Sequence, residues 1–199
     1  MNALVEPIGA AKAGTIRLHL ARHGQTPANR EMRFPRADAR LTGEGIAQAG
    51  RMAREFQRRE VLVDTVLLSP TARTFQTMEI ACSLQAARPR IIVVQGLREK
   101  DPGRATGARI PEARGEIDRI SVRAGGESFP QFIERVESTF ECLLEELRAG
   151  RIPGSEILLL GHSMVNRICF GVLQGAGGAM GLEGKSQING GVKTVEIRR

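Results

Sequence analysis

The stretch Thr15-Ile16-Arg17-Leu18-His19-Leu20-Ala21-Arg22-His23-Gly24 decides how this chain is read. Ile16, Leu18 and Leu20 alternate along 15–21, the period-2 signature of a strand. The strand runs straight into an arginine, a histidine and a glycine, residue types suited to gripping an anion and turning the backbone. Working outward, Thr42 is placed to cap a helix in which Ile46, Ala49, Met52, Ala53 and Phe56 recur at helical spacing. Residues 63–68 form a short apolar, β-branched run, followed by a helix predicted over 71–86 and a third strand over 91–94. Residues 127–148 return to helical periodicity, 157–160 are a fully apolar strand, and 164–173 a short helix. The glycine-rich 175–184 reads as flexible, and 192–197 as a last strand at an edge.

Strands that alternate with helices and are apolar on both faces predict an α/β fold. The expected architecture is a three-layer sandwich with a mostly parallel central sheet flanked by helices. We expect a flexible N-terminal tail over 1–14 and a single domain over 15–199. Between 100 and 126 the pattern gives way to Gly, Pro and Arg, predicting a long irregular or partly helical excursion of the kind that serves as a lid or binding loop.

Composition removes several function classes. The 29 basic and 22 acidic residues leave a net charge of +7, compatible with a nucleic-acid partner or with a small anionic substrate. The basic residues are dispersed, there is no Trp or Tyr, and aromatics make up 4%, so stacking platforms for single-stranded nucleic acid are scarce. We expect no nucleic-acid partner. No run approaches the roughly 18 to 20 apolar residues that span a membrane, and the start lacks a signal-peptide pattern. Cys82, Cys142 and Cys169 form neither a CxxC pair nor a ligand spacing with histidine, so no disulfide framework and no zinc site are indicated. A cytoplasmic location is the expectation. An edge near 192–197 leaves a monomer or a homodimer open.

In a largely parallel sheet, ligands bind beyond the carboxyl ends of the strands. The residues there are Arg22-His23-Gly24, Ser69-Pro70, Glu99 and Gly161-His162-Ser163, with Arg73 one helical turn past Ser69-Pro70. Arginine offers a fork of donors that fits phosphate oxygens. A neutral imidazole can attack phosphorus, and a carboxylic acid can protonate a departing alkoxide. Gly161-His162-Ser163-Met164-Val165 lacks the second glycine of a nucleophile elbow, which argues against a serine hydrolase. His19, in mid-strand, and Arg17 are assigned no catalytic role.

The run Leu20-Ala21-Arg22-His23-Gly24-Gln25-Thr26 resembles the signature of the histidine phosphatase superfamily, the phosphoglycerate-mutase-like proteins. It is followed in the family's order by Asn29, Arg33-Phe34, Leu41-Thr42 with Gly45 and Gln48-Ala49, Ser69-Pro70-Thr71-Ala72-Arg73 with Thr77, Leu97-Arg98-Glu99, Gly125-Gly126-Glu127-Ser128 and Gly161-His162-Ser163. The resemblance implies that His23 becomes phosphohistidine, that Arg22, Arg73 and His162 hold the phosphoryl oxygens, and that Glu99 is the acid and later the base. Asn29, Gly24 and Gln25 are implied as further substrate contacts. It also implies a phosphatase for small phosphate monoesters that uses no metal or other cofactor and has a small phosphorylated metabolite as partner. The alternatives are mutase-type phosphoryl transfer and a non-catalytic phospholigand-binding module.

One departure stands out. Many phosphatase members carry an aromatic-Gly-Glu-Trp-Glu-Gly-like segment after the acid, where this chain has Pro102-Gly103-Arg104-Ala105-Thr106-Gly107. With Arg104, Arg109 and Arg114, the leaving-group side is expected to be more basic. That would suit a substrate with extra negative charge or many hydroxyls.

Overall fold

The computed structural model describes residues 14–182 and 186–199; all but the last residue of the expected 1–14 tail lie outside them. Five strands form one sheet: β1 (Thr15–Arg22), β2 (Thr65–Leu68), β3 (Arg90–Val93), β4 (Glu156–Gly161) and β5 (Val192–Arg198). Their order is β3-β2-β4-β1-β5. The β1–β4, β4–β2 and β2–β3 pairs are parallel, and β5 runs antiparallel to β1 at the edge. The helices are α1 (Pro27–Arg30), α2 (Gly43–Arg58), α3 (Ala72–Ala81), α4 (Arg114–Arg123), α5 (Phe129–Arg148), α6 (Ser163–Leu173) and α7 (Gly177–Gly181).

Strand alternation sorts the core into two layers. Ile16, Leu18 and Leu20 of β1, Leu67 of β2 and Ile157 and Leu159 of β4 pack with Phe132, Val136 and Phe140 of α5 and Val165 and Ile168 of α6. Ala21, Val66, Leu68, Leu158 and Leu160 point to the other face and pack with Met52 and Phe56 of α2 and Met78 of α3. The result is the expected three-layer α/β sandwich. Its central strand β4 is buried along its whole length, because helices cover both faces. Helix starts follow the sequence signals. Thr42 accepts from Gly45 N at the head of α2, and Ser128 and Gln131 form a reciprocal capping box on α5.

His19 and Arg17 sit on the α2 face of β1, and both engage Glu156 of β4. Arg17 pairs with its Oε1, and His19 Nε2 lies 2.8 Å from Oε2, while His19 Nδ1 lies 2.8 Å from Thr194 Oγ1. This buried network ties β1, β4 and β5 together at the end of the sheet away from His23.

Two local expectations are corrected. The helix predicted over 71–86 stops at Ala81, because the Gln85 side chain leaves the helical path to bond both Val63 N and Val63 O. The segment expected to be flexible, 175–184, carries α7 over part of its length, and its residues 183 and 184 lie outside the described residues. A Cβ on Gly171 would lie 3.0 Å from Gly181 N, and one on Gly178 would lie 2.8 Å from Glu137. Gly171 is there because α6 and α7 touch backbone to backbone, and Gly178 because α7 meets the Glu137 side chain, while Gly175 and Gly177 take the positive φ that favours glycine.

Candidate active site

The parallel register brings the exits of β1 and β4 side by side. Arg22 is opposite Gly161, and His23 N donates to Gly161 O at 3.1 Å. His23 and His162 therefore meet edge to face, with ring centroids 5.1 Å apart, and both are almost fully buried. Each ring has one defined role for one nitrogen. His23 Nδ1 lies 2.7 Å from Gly24 O. A carbonyl can only accept, so Nδ1 carries the proton and the Nε2 lone pair is free. His162 Nε2 lies 2.8 Å from Ser69 Oγ, and its Nδ1 lies 3.5 Å from the Arg73 guanidinium, which can only donate.

Arg73 enters from the first turn of α3 and is 3% exposed. Its NH1 donates to Arg36 O at 2.9 Å, which fixes the fork, and its Nε is buried with no protein partner. Arg22 is held the same way, with NH1 donating to Gln187 O at 2.5 Å and Nε buried and unpartnered. Unsatisfied buried donors are costly, so two guanidinium groups aimed into one cavity mark a place for an anion. Burial pulls the Arg73 pKa down to about 10, still leaving it cationic near neutrality.

Glu99 follows the 3-10 turn at 95–97 and is half-buried. Burial raises its pKa above the usual carboxylate range, outweighing the opposing Lys100 N–H and the two arginines. Burial, with Arg73 as the next cause, holds His23 well below an ordinary histidine, so its ring stays neutral. The same causes act on His162. The arrangement thus offers a neutral imidazole with a free lone pair, a carboxyl that holds its proton to higher pH than an ordinary carboxylate, and two cations.

The cavity over these groups measures about 570 Å³ and is lined by Arg22, His23, Asn29, Arg73, Glu99 and His162 together. The sequence matches the histidine phosphatase superfamily (branch 1) over residues 18–198. The chain belongs to the histidine phosphatase superfamily. Solved structures agree in fold. An alpha-ribazole phosphatase from Shigella flexneri is 22% identical, with 90% of this chain and 89% of that one covered and a TM-score of 0.72. A mycobacterial glucosyl-3-phosphoglycerate phosphatase, solved with VO3, is 22% identical over 90% and 92%, at 0.68. A phosphoserine phosphatase from Entamoeba histolytica, solved with 3-phosphoglyceric acid, is 22% identical over 90% and 89%, at 0.69. No curated protein matches the chain.

Within this histidine phosphatase fold, Asn29 is oriented by its neighbours. Its Oδ1 accepts from Thr26 N at 3.0 Å, from Thr26 Oγ1 at 3.0 Å and from Asn189 Nδ2 at 3.3 Å, which leaves its amide hydrogens for the cavity. Gly24 and Gln25, expected as substrate contacts, do not line the cavity. Gln25 Oε1 instead accepts from Thr42 Oγ1 at 3.1 Å, and Gly24 packs its backbone against Gly45. The glycine is needed for that approach, not for approach to an anion.

Arg104, Arg109 and Arg114 do not line the cavity either. Arg114 NH2 donates to Leu182 O at 2.5 Å, and Arg109 pairs through its backbone with Arg33. The basic residues that do line it, beyond Arg22 and Arg73, are Arg98, Lys100 and Arg135.

Three contributors were missed in the sequence. Ser163 lines the cavity from the first turn of α6 with its Oγ buried and without a protein partner. Gln187 donates to Leu20 O and Gly191 O, both at 2.9 Å, and its carbonyl holds Arg22. Asn189 bonds His23 O at 3.2 Å as well as Asn29. Only Ser163 had a local signal, its place after His162. The other two act across more than 150 residues of sequence.

Proposed function

We propose that this chain is a phosphatase for small phosphate monoesters, working through a phosphohistidine on His23. The observation that carries the reading is the fixed His23 tautomer, with its Nε2 lone pair free, in a cavity that Arg22 and Arg73 also line, each with a buried Nε that has no protein partner. His23 Nε2 attacks phosphorus as the P–O bond to the leaving group breaks. Glu99 gives its proton to the departing oxygen. Arg22, Arg73 and the Asn29 amide stabilise the charge that spreads over the phosphoryl oxygens, with His162 backing Arg73 through Nδ1. In the second half, the Glu99 carboxylate takes a proton from water as that water attacks phosphorus. The P–N bond breaks, inorganic phosphate leaves, and neutral His23 and protonated Glu99 are restored.

The test is phosphate release from sugar phosphates, nucleotides, phosphoglycerates and an aryl phosphate, in excess EDTA, comparing wild type with His23→Ala. Release that survives EDTA and is lost in the variant is expected. A folded wild type that releases no phosphate from any of these esters would overturn the reading.

A further inference from the structure

We infer that the ester accepted by this site has an uncharged leaving group presenting an apolar surface, and no second anionic group; this rests on the phosphatase reading. At about 570 Å³ the cavity is far larger than a phosphoryl group requires, so much of it is built for the rest of the ester. Apart from the phosphoryl-binding set, that lining is rich in Phe34, Pro35, Pro102, Ile110, Ile117 and Met164. The wall is a built feature. Phe34 N donates to Ala108 O, Gly107 N to Phe34 O, and Ile110 N to Met32 O, so residues 32–34 and 107–110 form a short ladder. That ladder sets Phe34 and Ile110 on two crossing segments that share the cavity.

The cations beside this wall are already occupied. Arg135 places its Nε and NH2 on the two carboxylate oxygens of Glu127, each at 2.8 Å, and its NH1 on Gly96 O and Arg98 O at 2.6 and 3.1 Å. Lys100 donates to Glu127 O, lies 3.5 Å from Asp118 Oδ1, and rests over the Phe129 ring at 4.9 Å. Four of the five Arg135 donors are thus committed, so an anionic leaving group could recruit only its remaining NH2 hydrogen, and could recruit Lys100 only by breaking these contacts. Arg98 is solvent-exposed, where an ion pair is worth little. Asp101 adds negative charge to the same lining, while the Glu127 carboxylate is paired with Arg135. A leaving group with its own carboxylate or phosphate would meet apolar surface and the Asp101 carboxylate, and would lose hydration with only the solvent-exposed Arg98 and one Arg135 hydrogen to replace it. The departure from the family's aromatic and acidic segment therefore does not make a second anion site.

The experiment uses a pair of aryl phosphates differing in charge alone, 4-carbamoylphenyl and 4-carboxyphenyl phosphate. One arm measures kcat/KM on wild type, and the other measures binding of each ester to His23→Ala by calorimetry. The neutral ester is expected to lead by at least about 10-fold in both arms, equivalent to about 1.4 kcal/mol. Ile110→Lys should narrow that lead. Parity or preference for the carboxylate in the binding arm would overturn the inference while leaving the phosphatase reading intact. Preferential binding of the neutral ester with no turnover would uphold the inference and sink the phosphatase reading.

Discussion

Placing a methyl group on Gly24 tests whether nucleophile position depends on a backbone contact distant from the phosphate. A Cβ there would lie 2.9 Å from the carbonyl carbon and 3.0 Å from the Cα of Gly45, and closer still to its oxygen. The opposing atoms are backbone at the start of α2, so no side chain can swing aside. The reciprocal approach is as tight, since a Cβ on Gly45 would lie 2.9 Å from Gln25 N. Overpacking of this kind costs about 1–3 kcal/mol. At roughly 2–4 °C per kcal/mol for a chain of this size, Gly24→Ala should lower Tm by about 2–12 °C. The larger effect should be catalytic. Gly24 O fixes the His23 ring through Nδ1, and Gly24 N donates to Thr77 Oγ1 at 3.1 Å, so the displaced loop carries the nucleophile with it. A misplacement near 1 Å costs about 100-fold in rate. The internal control is Gly43→Ala, also in the first turn of α2. Nothing lies within 4 Å of its Cβ, and its stability should be unchanged or up to about 1 kcal/mol higher. Calorimetric Tm and kcat/KM on one aryl phosphate would be measured for both. Equal stability and equal activity in the two variants would refute the argument.

Glu99→Gln should cut turnover of an alkyl phosphate by about 100-fold or more, and that of an aryl phosphate with a good leaving group far less. Because burial holds His23 below and Glu99 above their ordinary values, neutral His23 persists into acid and protonated Glu99 persists toward neutrality. The wild-type pH–rate profile should peak on the acid side of neutrality, falling at low pH as His23 protonates and at high pH as Glu99 ionises; an alkaline optimum would contradict this. Ser163→Ala should weaken inhibition by vanadate about 10-fold, the loss of one hydrogen bond to a charged group, with Tm unchanged or raised. Glu156→Ala removes the carboxylate facing Arg17 and His19, and should cost about 3 kcal/mol in urea unfolding while kcat/KM at low temperature stays near wild type.

What could be read in the sequence was what local pattern controls. Strand alternation placed Ile16, Leu18 and Leu20 on one face. The rule that ligands sit at the carboxyl edge of a parallel sheet then singled out Arg22, His23, Glu99 and His162, which one cavity does bring together. Arg73 was readable because one helical turn after Ser69-Pro70 points it back to the same edge. The glycines were harder, since a glycine's reason is its neighbour. Gly24 answers to Gly45 and Gly171 to Gly181, and neither partner can be seen from local sequence.

Charge was the least readable property, and the reason is physical. A guanidinium contributes to a site only through donors that its own protein leaves free, and that depends on partners scattered along the chain. Arg135 looks like a surface helix arginine, yet it lines the cavity with four of its five donors committed to Glu127, Gly96 and Arg98. Arg114 looks like part of a basic loop, yet it is bound to Leu182. Counting arginines near Glu99 pointed to a substrate with extra negative charge or many hydroxyls; following each donor to its acceptor favours one phosphoryl group and an uncharged remainder. The electrostatic specificity of this site is set by which cations remain unpaired after folding, and among the described cations that line the cavity those with a buried donor lacking any protein partner are Arg22 and Arg73.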